Sequence, residues 1–211
     1  MKKEIQDNKV ITVLDRLHKA AKGDGFKVMK ALAYGLFTKI KPEHASSAYL
    51  PVSRKQGAYL YQTVVENKYK NIVEFGTSFG ISTIYLAAGA RETGGKVITS
   101  EIVKEKCEKA SQNFENAGLS QFIELREGDA LETLKNIDFP IDFLLLDGWK
   151  DLYLPIFRLL EPLFHSKTKI FVDNTGFKDV RNFLKVVEKE PNYLVESLAL
   201  DKGGSALITL K

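Results

Sequence analysis

Short apolar runs alternate with helical segments from Ile72 to the end of the chain. Runs such as Phe143–Leu146 and Ile170–Val172 have the length and composition of buried strands, and amphipathic helical patterns lie between the runs. This alternation is typical of a doubly wound, mostly parallel sheet with helices on both faces. We therefore predict an α/β fold that binds its ligands at the carboxyl ends of the strands.

The beginning of the chain predicts helices instead. Apolar residues there recur at helical spacing: Val10, Val13, Leu14, Leu17, Ala20 and Ala21. Residues 23–25, Gly-Asp-Gly, should separate this helix from a second one over about residues 26–37. With 211 residues, 44% of them hydrophobic, the chain can bury one sizeable core. We predict a single domain over residues 1–211, with a helical extension at 1–48 and the core at 49–211.

Acidic and amide side chains follow two of the predicted strands. Asp147 comes directly after Phe143–Leu146, and Asp173 and Asn174 come directly after Ile170–Val172. Because the carboxyl ends of parallel strands meet at one edge of a sheet, these oxygens can converge on one point. Mg²⁺ or another hard divalent cation prefers about six oxygen ligands, so three protein oxygens leave positions for water and a substrate. The pattern therefore indicates a catalytic metal site, although Asp and Asn are also ordinary turn formers.

Lys150 follows Asp147 by three residues, so its side chain can reach the edge of this metal site. A nearby positive charge favours the neutral amine, which makes Lys150 a candidate general base. The alternative is a solvated lysine at the beginning of a helix.

A glycine turn follows the first predicted strand, within residues 71–83. Gly76 lets the backbone turn sharply and approach a ligand, and Gly80 permits close packing where a helix begins at Ile81. The turn lacks the third glycine of the G-x-G-x-x-G dinucleotide fingerprint. Glu74, just before the turn, disfavours an anionic ligand and suits a cationic one.

Glu101 ends the second predicted strand, about 20 positions beyond Gly80, where an acidic residue suits a ribose diol. The alternative for Glu101 is a solvated carboxylate at a helix start. The third predicted strand leads into Gly128-Asp129-Ala130, a common kind of turn that we place along an adenine edge. Together these features describe a site for a cationic adenosine derivative beside a metal ion. S-adenosylmethionine fits this description.

These motifs resemble the cation-dependent class I O-methyltransferases, the family of the catechol and caffeoyl-coenzyme A O-methyltransferases. The resemblance covers roughly residues 50–211 and is most specific at Asp147-Gly148-Trp149-Lys150-Asp151-Leu152-Tyr153-Leu154-Pro155. It implies a Rossmann-like sheet of seven strands, with Asp147, Asp173 and Asn174 as metal ligands and Lys150 as the base. It also implies that segment 52–57 closes over the methionine end of the cofactor and that Trp149 forms a wall near the adenine. The cofactor-binding residues implied in this way are Val52, Glu74, Gly76, Thr77, Ser78, Gly80, Ser82, Glu101, Ile102, Asp129, Ala130, Asp147 and Trp149.

Two positions depart from the catechol enzyme. Gly148 stands where that enzyme has a histidine that contacts the cofactor, so we expect a looser or differently satisfied adenine pocket. After Tyr193 the chain passes quickly to residues 201–204, Asp-Lys-Gly-Gly, without a match to the acidic residue that grips the second catechol hydroxyl. The resemblance thus implies methyl transfer to a small acceptor with vicinal oxygens, and it does not single out catechol.

Composition indicates the cellular compartment in which we expect the protein. Cys107 is the only cysteine, which excludes an internal disulfide and suits a reducing cytoplasm. We predict that Cys107 packs within an amphipathic helix at residues 104–116. No apolar stretch approaches the roughly 20 residues that span a bilayer, and Met1–Asp7 is not followed by the apolar segment of a signal peptide. We therefore expect a cytoplasmic protein that does not enter a membrane.

Several alternatives remain open. The net charge of +4 and a basic N-terminal part permit an RNA hydroxyl as acceptor, although no RNA-binding motif accompanies them. The missing third glycine and Glu74 disfavour a nicotinamide-dependent oxidoreductase. The presence of every apparent metal ligand disfavours a non-catalytic cofactor-binding protein. His18, His44 and His165 are too scattered for a zinc site. The sequence is compatible with a homodimer and with a lid formed by residues 41–56.

Overall fold

Seven strands form one sheet in the computed structural model, which describes residues 3–23 and 52–211. The strands are β1 (Asn71–Phe75), β2 (Lys96–Glu101), β3 (Ile123–Glu127), β4 (Ile141–Leu146), β5 (Phe164–Asp173), β6 (Tyr193–Leu198) and β7 (Ser205–Leu210). Their order across the sheet is β3-β2-β1-β4-β5-β7-β6. Strands β1 to β5 are parallel, and β6 and β7 form the closing antiparallel hairpin. The predicted doubly wound, mostly parallel sheet is confirmed.

Seven α-helices accompany the strands in the described part of the chain. They are α1 (Asn8–Gly23), α2 (Arg54–Asn67), α3 (Ile81–Thr93), α4 (Lys104–Asn116), α5 (Ala130–Thr133), α6 (Tyr153–Leu160) and α7 (Lys178–Glu188). Helix α1 buries Val10, Val13 and Leu14, as its helical spacing predicts. The predicted second N-terminal helix, His44 and most of the predicted lid segment lie outside the described residues.

The side chains of each central strand alternate between two apolar layers. In β4, Phe143 and Leu145 pack with residues of helices α1 to α4, whereas Leu144 and Leu146 pack with residues of α5, α6 and α7. Both faces of the sheet are therefore covered, which explains why β4 reads as a continuous apolar run and not as an alternating one.

The chain reverses its direction of progress across the sheet between β1 and β4. From β1 it moves outward to β2 and β3, and then it returns to β4 on the other side of β1. The crevice at the carboxyl ends of two such strands is the usual ligand site of an open α/β sheet. The residues that follow β1, β2, β4 and β5 therefore form the candidate site.

Two further expectations concern the helices. Cys107 is buried in α4, donates a hydrogen bond from Sγ to the Glu101 carbonyl oxygen at 3.5 Å, and has a thiol pKa that burial raises to about 12. Its predicted packing role is thereby confirmed. Within residues 3–23 and 52–211, no helix is long and apolar enough to cross a membrane.

Candidate active site

Two carboxylates, the partly buried Asp147 and the buried Asp173, stand side by side at the ends of β4 and β5. Leu146 pairs with Val172 in the parallel register, so Asp147 and Asp173 follow at the same level on neighbouring strands. Burial raises the pKa of Asp147, and the Glu74 carboxylate adds to this effect while Lys150 opposes it. Burial and the charge of Asp147 likewise raise the pKa of Asp173. Two neighbouring carboxylates repel each other when both are ionised. A cation that binds between them reduces this repulsion.

The Asp173 carboxylate is held by hydrogen bonds on both oxygens. Oδ1 accepts from Gln56 Nε2 at 2.5 Å and from Ser205 Oγ at 3.5 Å. Oδ2 accepts from Asn174 Nδ2 at 2.7 Å. The carboxylate therefore has a fixed plane before any ligand binds.

Lys150 lies next to this pair, as predicted. It begins the short 3-10 turn Lys150–Leu152 directly before α6. Its Nζ lies 3.3 Å from Asp147 Oδ1 and 3.0 Å from the Tyr153 hydroxyl, to which it donates a hydrogen bond. The buried Tyr153 hydroxyl in turn donates to the Asp173 carbonyl oxygen at 3.4 Å. Lys150 is thus held at the carboxylate pair by two partners and is not an isolated surface lysine.

Asn174 can add a third oxygen to the two carboxylates. Its backbone is left-handed, with φ 60°, a conformation that asparagine tolerates better than most residues. Its Nδ2 points to Asp173, which leaves Oδ1 as the other polar atom of the side chain. No group of three or more His, Cys, Asp or Glu side chains in the described ranges could hold a metal ion. Any metal here would depend on two carboxylates and an amide, an all-oxygen set that fits a hard divalent cation.

The predicted glycine turn lies against the end of β4. Gly76 has φ 105°, and a Cβ there would lie 2.6 Å from the Gly148 nitrogen, so both its conformation and its surroundings require glycine. The backbone nitrogens of Gly76 and Thr77 both donate to the Ser100 carbonyl oxygen, each at 3.2 Å. The turn is thereby closed onto β2, with Gly80 also left-handed where α3 begins.

Glu74 is fully buried beneath this turn. Its Oε2 accepts hydrogen bonds from Thr83 Oγ1 at 2.5 Å and Thr99 Oγ1 at 2.6 Å. Its Oε1 is buried and has no hydrogen-bond partner among the described residues. Burial raises the pKa of Glu74, while the hydroxyls of Ser82, Thr83 and Thr99 oppose this effect. A donor from a bound ligand would satisfy the open oxygen.

Glu101 ends β2 and connects it to the glycine turn. Its Oε2 accepts from the Ser78 nitrogen at 2.9 Å, and its Oε1 accepts from the Val103 nitrogen at 3.0 Å. Each carboxylate oxygen can accept another hydrogen bond, so both remain able to bind a hydroxyl. The next residue, Ile102, is 50% exposed and offers an apolar surface at the same strand end.

The remaining predicted cofactor residues lie on the same edge of the sheet or just before α2. The Gly128 nitrogen donates to the Glu101 carbonyl oxygen at 2.8 Å, which brings the Gly128-Asp129-Ala130 turn to the end of β2. Asp129 is exposed, and its side chain caps α5 by accepting from the Leu131 nitrogen at 2.9 Å. Val52 is buried directly before Ser53, the capping residue of α2. Cofactor contacts of these residues stay predictions.

The surroundings of Gly148 leave no room for a side chain. A Cβ at this position would lie 2.5 Å from the ring of Phe75, the last residue of β1. The Phe75 ring therefore fills the space beside Gly148, where the catechol enzyme carries a histidine. Trp149 follows as a half-buried residue that caps the 3-10 turn carrying Lys150.

Three residues at or near the site had no individual role in the sequence analysis, although Gln56 lies within segment 52–57. Gln56 and Tyr153 contact Asp173, and Asn113 Nδ2 donates to the Phe79 carbonyl oxygen in the glycine turn at 3.0 Å. The Ser53-x-x-Gln56 spacing is a capping-box signature that could have marked Gln56 as structured. No pattern in the sequence predicts its contact with Asp173, which lies 117 residues away.

The strand order, the glycine turn and the acid at the end of β2 define a Rossmann-like class I methyltransferase fold. An O-methyltransferase from Bacillus cereus, solved in complex with SAH (S-adenosylhomocysteine), superposes with a TM-score of 0.71 at 26% identity, over 88% of this chain and 90% of that one. The SAH-bound methyltransferase PaMTH1 of Podospora anserina gives a TM-score of 0.71 at 20% identity over 93% and 94%, and it supports the fold alone.

The chain belongs to the O-methyltransferase family, whose sequence pattern matches residues 27–200. It is 32% identical over 129 residues to a catechol O-methyltransferase of Niastella koreensis, covering 59% of this chain and 58% of that protein. It is 30% identical over 132 residues to caffeoyl-CoA O-methyltransferase 2 of Petunia hybrida, covering 60% and 54%. The matches thus span less than two thirds of these relatives. The predicted family resemblance is confirmed.

Proposed function

We propose that this protein transfers a methyl group from S-adenosylmethionine to a hydroxyl of a small acceptor with vicinal oxygens, and that it requires Mg²⁺ or another hard divalent cation. The observation that carries the proposal is the collection of four carboxylates at one edge of the sheet: Glu74, Glu101, Asp147 and Asp173. Such a collection of acidic groups suits a sulfonium cofactor and a metal dication, because a bound positive charge favours the ionised carboxylates. Membership of the O-methyltransferase family supports the same chemistry.

The cofactor would lie along the glycine turn. Glu101 offers two oxygens to the ribose hydroxyls, and Ile102 offers its apolar side chain to the adenine. Glu74 Oε1 is buried near this turn and lacks a donor among the described residues. The SAH complex of the Bacillus cereus protein supports S-adenosylmethionine as the cofactor.

Asp147, Asp173 and Asn174 would hold the metal, whose charge, when it is bound, would favour ionisation of the acceptor hydroxyl. Lys150 Nζ would accept the proton of that hydroxyl. Its contacts with Asp147 Oδ1 and the Tyr153 hydroxyl aim the amine at the metal site. The protein would otherwise act by holding both reactants in an attack geometry, which contributes on the order of 7–11 kcal/mol in well-oriented systems.

An exposed aromatic ring supports an aromatic acceptor. Phe177 is 48% exposed and donates a backbone hydrogen bond to the Asn174 carbonyl oxygen at 3.1 Å. An exposed apolar residue three positions after the metal-ligand candidate Asn174 suits a planar acceptor, such as a catechol or a hydroxycinnamoyl ester. No corresponding feature of the described residues favours an RNA hydroxyl, and family membership disfavours a nicotinamide-dependent oxidoreductase.

A turnover screen tests the proposal directly. Catechols, hydroxycinnamoyl esters and hydroxylated nucleosides would be incubated with S-adenosylmethionine, Mg²⁺ and the full chain, and formation of SAH would be measured. We expect turnover of acceptors with two neighbouring oxygens and none of matched acceptors in which one oxygen is missing. Methylation of nucleosides alone would instead support the RNA alternative. A larger thermal shift with NAD than with S-adenosylmethionine would overturn the cofactor assignment.

A further inference from the structure

Gln56 connects the beginning of helix α2 to the candidate metal ligand Asp173. The residue is 1% exposed, and both ends of its amide are engaged. Oε1 accepts a hydrogen bond from the Ser53 nitrogen at 2.7 Å. Nε2 donates to Asp173 Oδ1 at 2.5 Å and to Ser205 Oγ at 3.0 Å. The two hydrogens of Nε2 are therefore both used.

The orientation of this amide is determined by its partners. If the amide were rotated by half a turn, Oε1 would face the Asp173 carboxylate and Nε2 would face the Ser53 N–H group. Both new contacts would be repulsive, because two acceptors and two donors would meet in a buried place. Gln56 therefore presents a fixed donor to Asp173.

Gln56 also restricts the orientation of the Asp173 carboxylate in a way that Asn174 does not. Asn174 donates to Oδ2, but Asn174 is the next residue of the same strand end and moves with Asp173. Gln56 donates to Oδ1 from a different layer, the helix α2 that packs on the sheet. Two donors on opposite oxygens fix the carboxylate plane, and Oδ2, which accepts only from Asn174, keeps a lone pair for a further ligand.

We propose that Gln56 is a positioning residue that orients Asp173 for a divalent cation. This inference rests on the proposed function, because it assumes that Asp173 binds the metal. Hydrogen-bonding partners that orient metal ligands typically change metal affinity by about 10–100-fold when they are removed.

The test is calorimetric titration of the metal-free full chain with Mn²⁺, and separately with SAH in excess EDTA. Gln56→Met keeps an unbranched side chain of similar length and removes the donor. We expect Mn²⁺ affinity to fall by about 10–100-fold, with SAH affinity close to that of the wild type. Gln62→Met is the matched control, because Gln62 lies on the same helix and its side chain has no hydrogen bond to the described residues. It should leave both affinities unchanged.

A second control separates positioning from helix capping. Ser53→Ala removes the hydroxyl that accepts from the Gln56 nitrogen at 3.2 Å, but it keeps the side-chain amide of Gln56. Equal losses of Mn²⁺ affinity in Ser53→Ala and Gln56→Met would overturn the proposal, as would wild-type Mn²⁺ affinity in folded Gln56→Met.

If Gln56→Met does not fold, Gln56→Asn tests the proposal instead. This variant keeps a buried amide, but its side chain is one methylene too short to reach Asp173. The proposal then requires weaker Mn²⁺ binding by Gln56→Asn. Wild-type protein that turns over acceptors but binds no Mn²⁺ would overturn this inference and the metal requirement together, and would leave the methyl-transfer assignment standing.

Discussion

Glu101 illustrates how one side chain can serve both the fold and the ligand. It fixes the glycine turn through the Ser78 nitrogen and the end of β2 through the Val103 nitrogen, and each of its oxygens can accept one more hydrogen bond, in our proposal from the ribose. We expect Glu101→Ala to weaken SAH binding by about 1.5–3 kcal/mol, the usual loss for a charge-assisted hydrogen bond. Calorimetry without metal measures this loss.

The matched control for this change is Glu127→Ala. Glu127 pairs with Glu101 in the register of β2 and β3, but it is exposed. It should leave SAH affinity unchanged. Unchanged affinity in Glu101→Ala would show that Glu101 only supports the turn.

Lys150 carries the second prediction at the residue scale. Lys150→Met keeps the aliphatic stem and removes the amine that contacts Asp147 and Tyr153. Loss of a positioned base should lower kcat by about 10²–10⁴-fold, with SAH affinity and melting temperature retained. The loss should shrink as the pH rises, because hydroxide increasingly replaces the base.

Steady-state kinetics across pH with an acceptor from the screen measures this change. Lys185→Met, on the exposed face of α7, is the control and should keep wild-type kcat. Near wild-type kcat in Lys150→Met at neutral pH, where chemistry limits turnover, would assign Lys150 a structural role.

At the scale of elements, strands β1 and β4 meet closely at their carboxyl ends. Gly148 after β4 faces the ring of Phe75 at the end of β1, and Gly148 is not among the glycines with positive φ. An alanine there would therefore be unfavourable for steric reasons. We expect Gly148→Ala to lower the free energy of unfolding by about 1–3 kcal/mol, the typical cost of overpacking.

Urea denaturation of a double-mutant cycle checks this explanation. Phe75→Leu removes ring atoms beside the new methyl group, so the double variant should lose less stability than the sum of the two single variants. Additive losses would mean that Gly148 is required for another reason.

At the scale of the whole molecule, the cofactor turn and the metal-ligand candidates come from different strands that meet at one edge of the sheet. The glycine turn and Glu101 belong to β1 and β2, whereas Asp147 and Asp173 follow β4 and β5. Excess EDTA should therefore abolish turnover while leaving most of the thermal stabilisation by SAH. At about 100 times the Kd, that stabilisation amounts to about 2.7 kcal/mol.

Melting curves and turnover in parallel measure both effects, and added Mg²⁺ should restore turnover. Full methyl transfer in EDTA would contradict the metal requirement. Oligomeric state, a cytoplasmic location and the division at residue 48 stay predictions.

The sequence by itself determined the features that depend on local pattern. The apolar runs predicted the strands, the helical spacing predicted α1 and α4, and the residues after the runs predicted the site at the carboxyl ends. The reason is that strand ends and turns are specified by a few consecutive residues, and a parallel sheet then brings these ends together.

Only the tertiary structure decided which side chains support that site. Gln56 meets Asp173, 117 residues away, and the Phe75 ring fills the space beside Gly148. Tyr153 lies within the predicted motif, but its supporting role depends on the position of its hydroxyl between Lys150 and Asp173. Such contacts depend on how helices α2 and α6 pack against the two faces of the sheet, and that packing is set by the whole core and not by any local pattern.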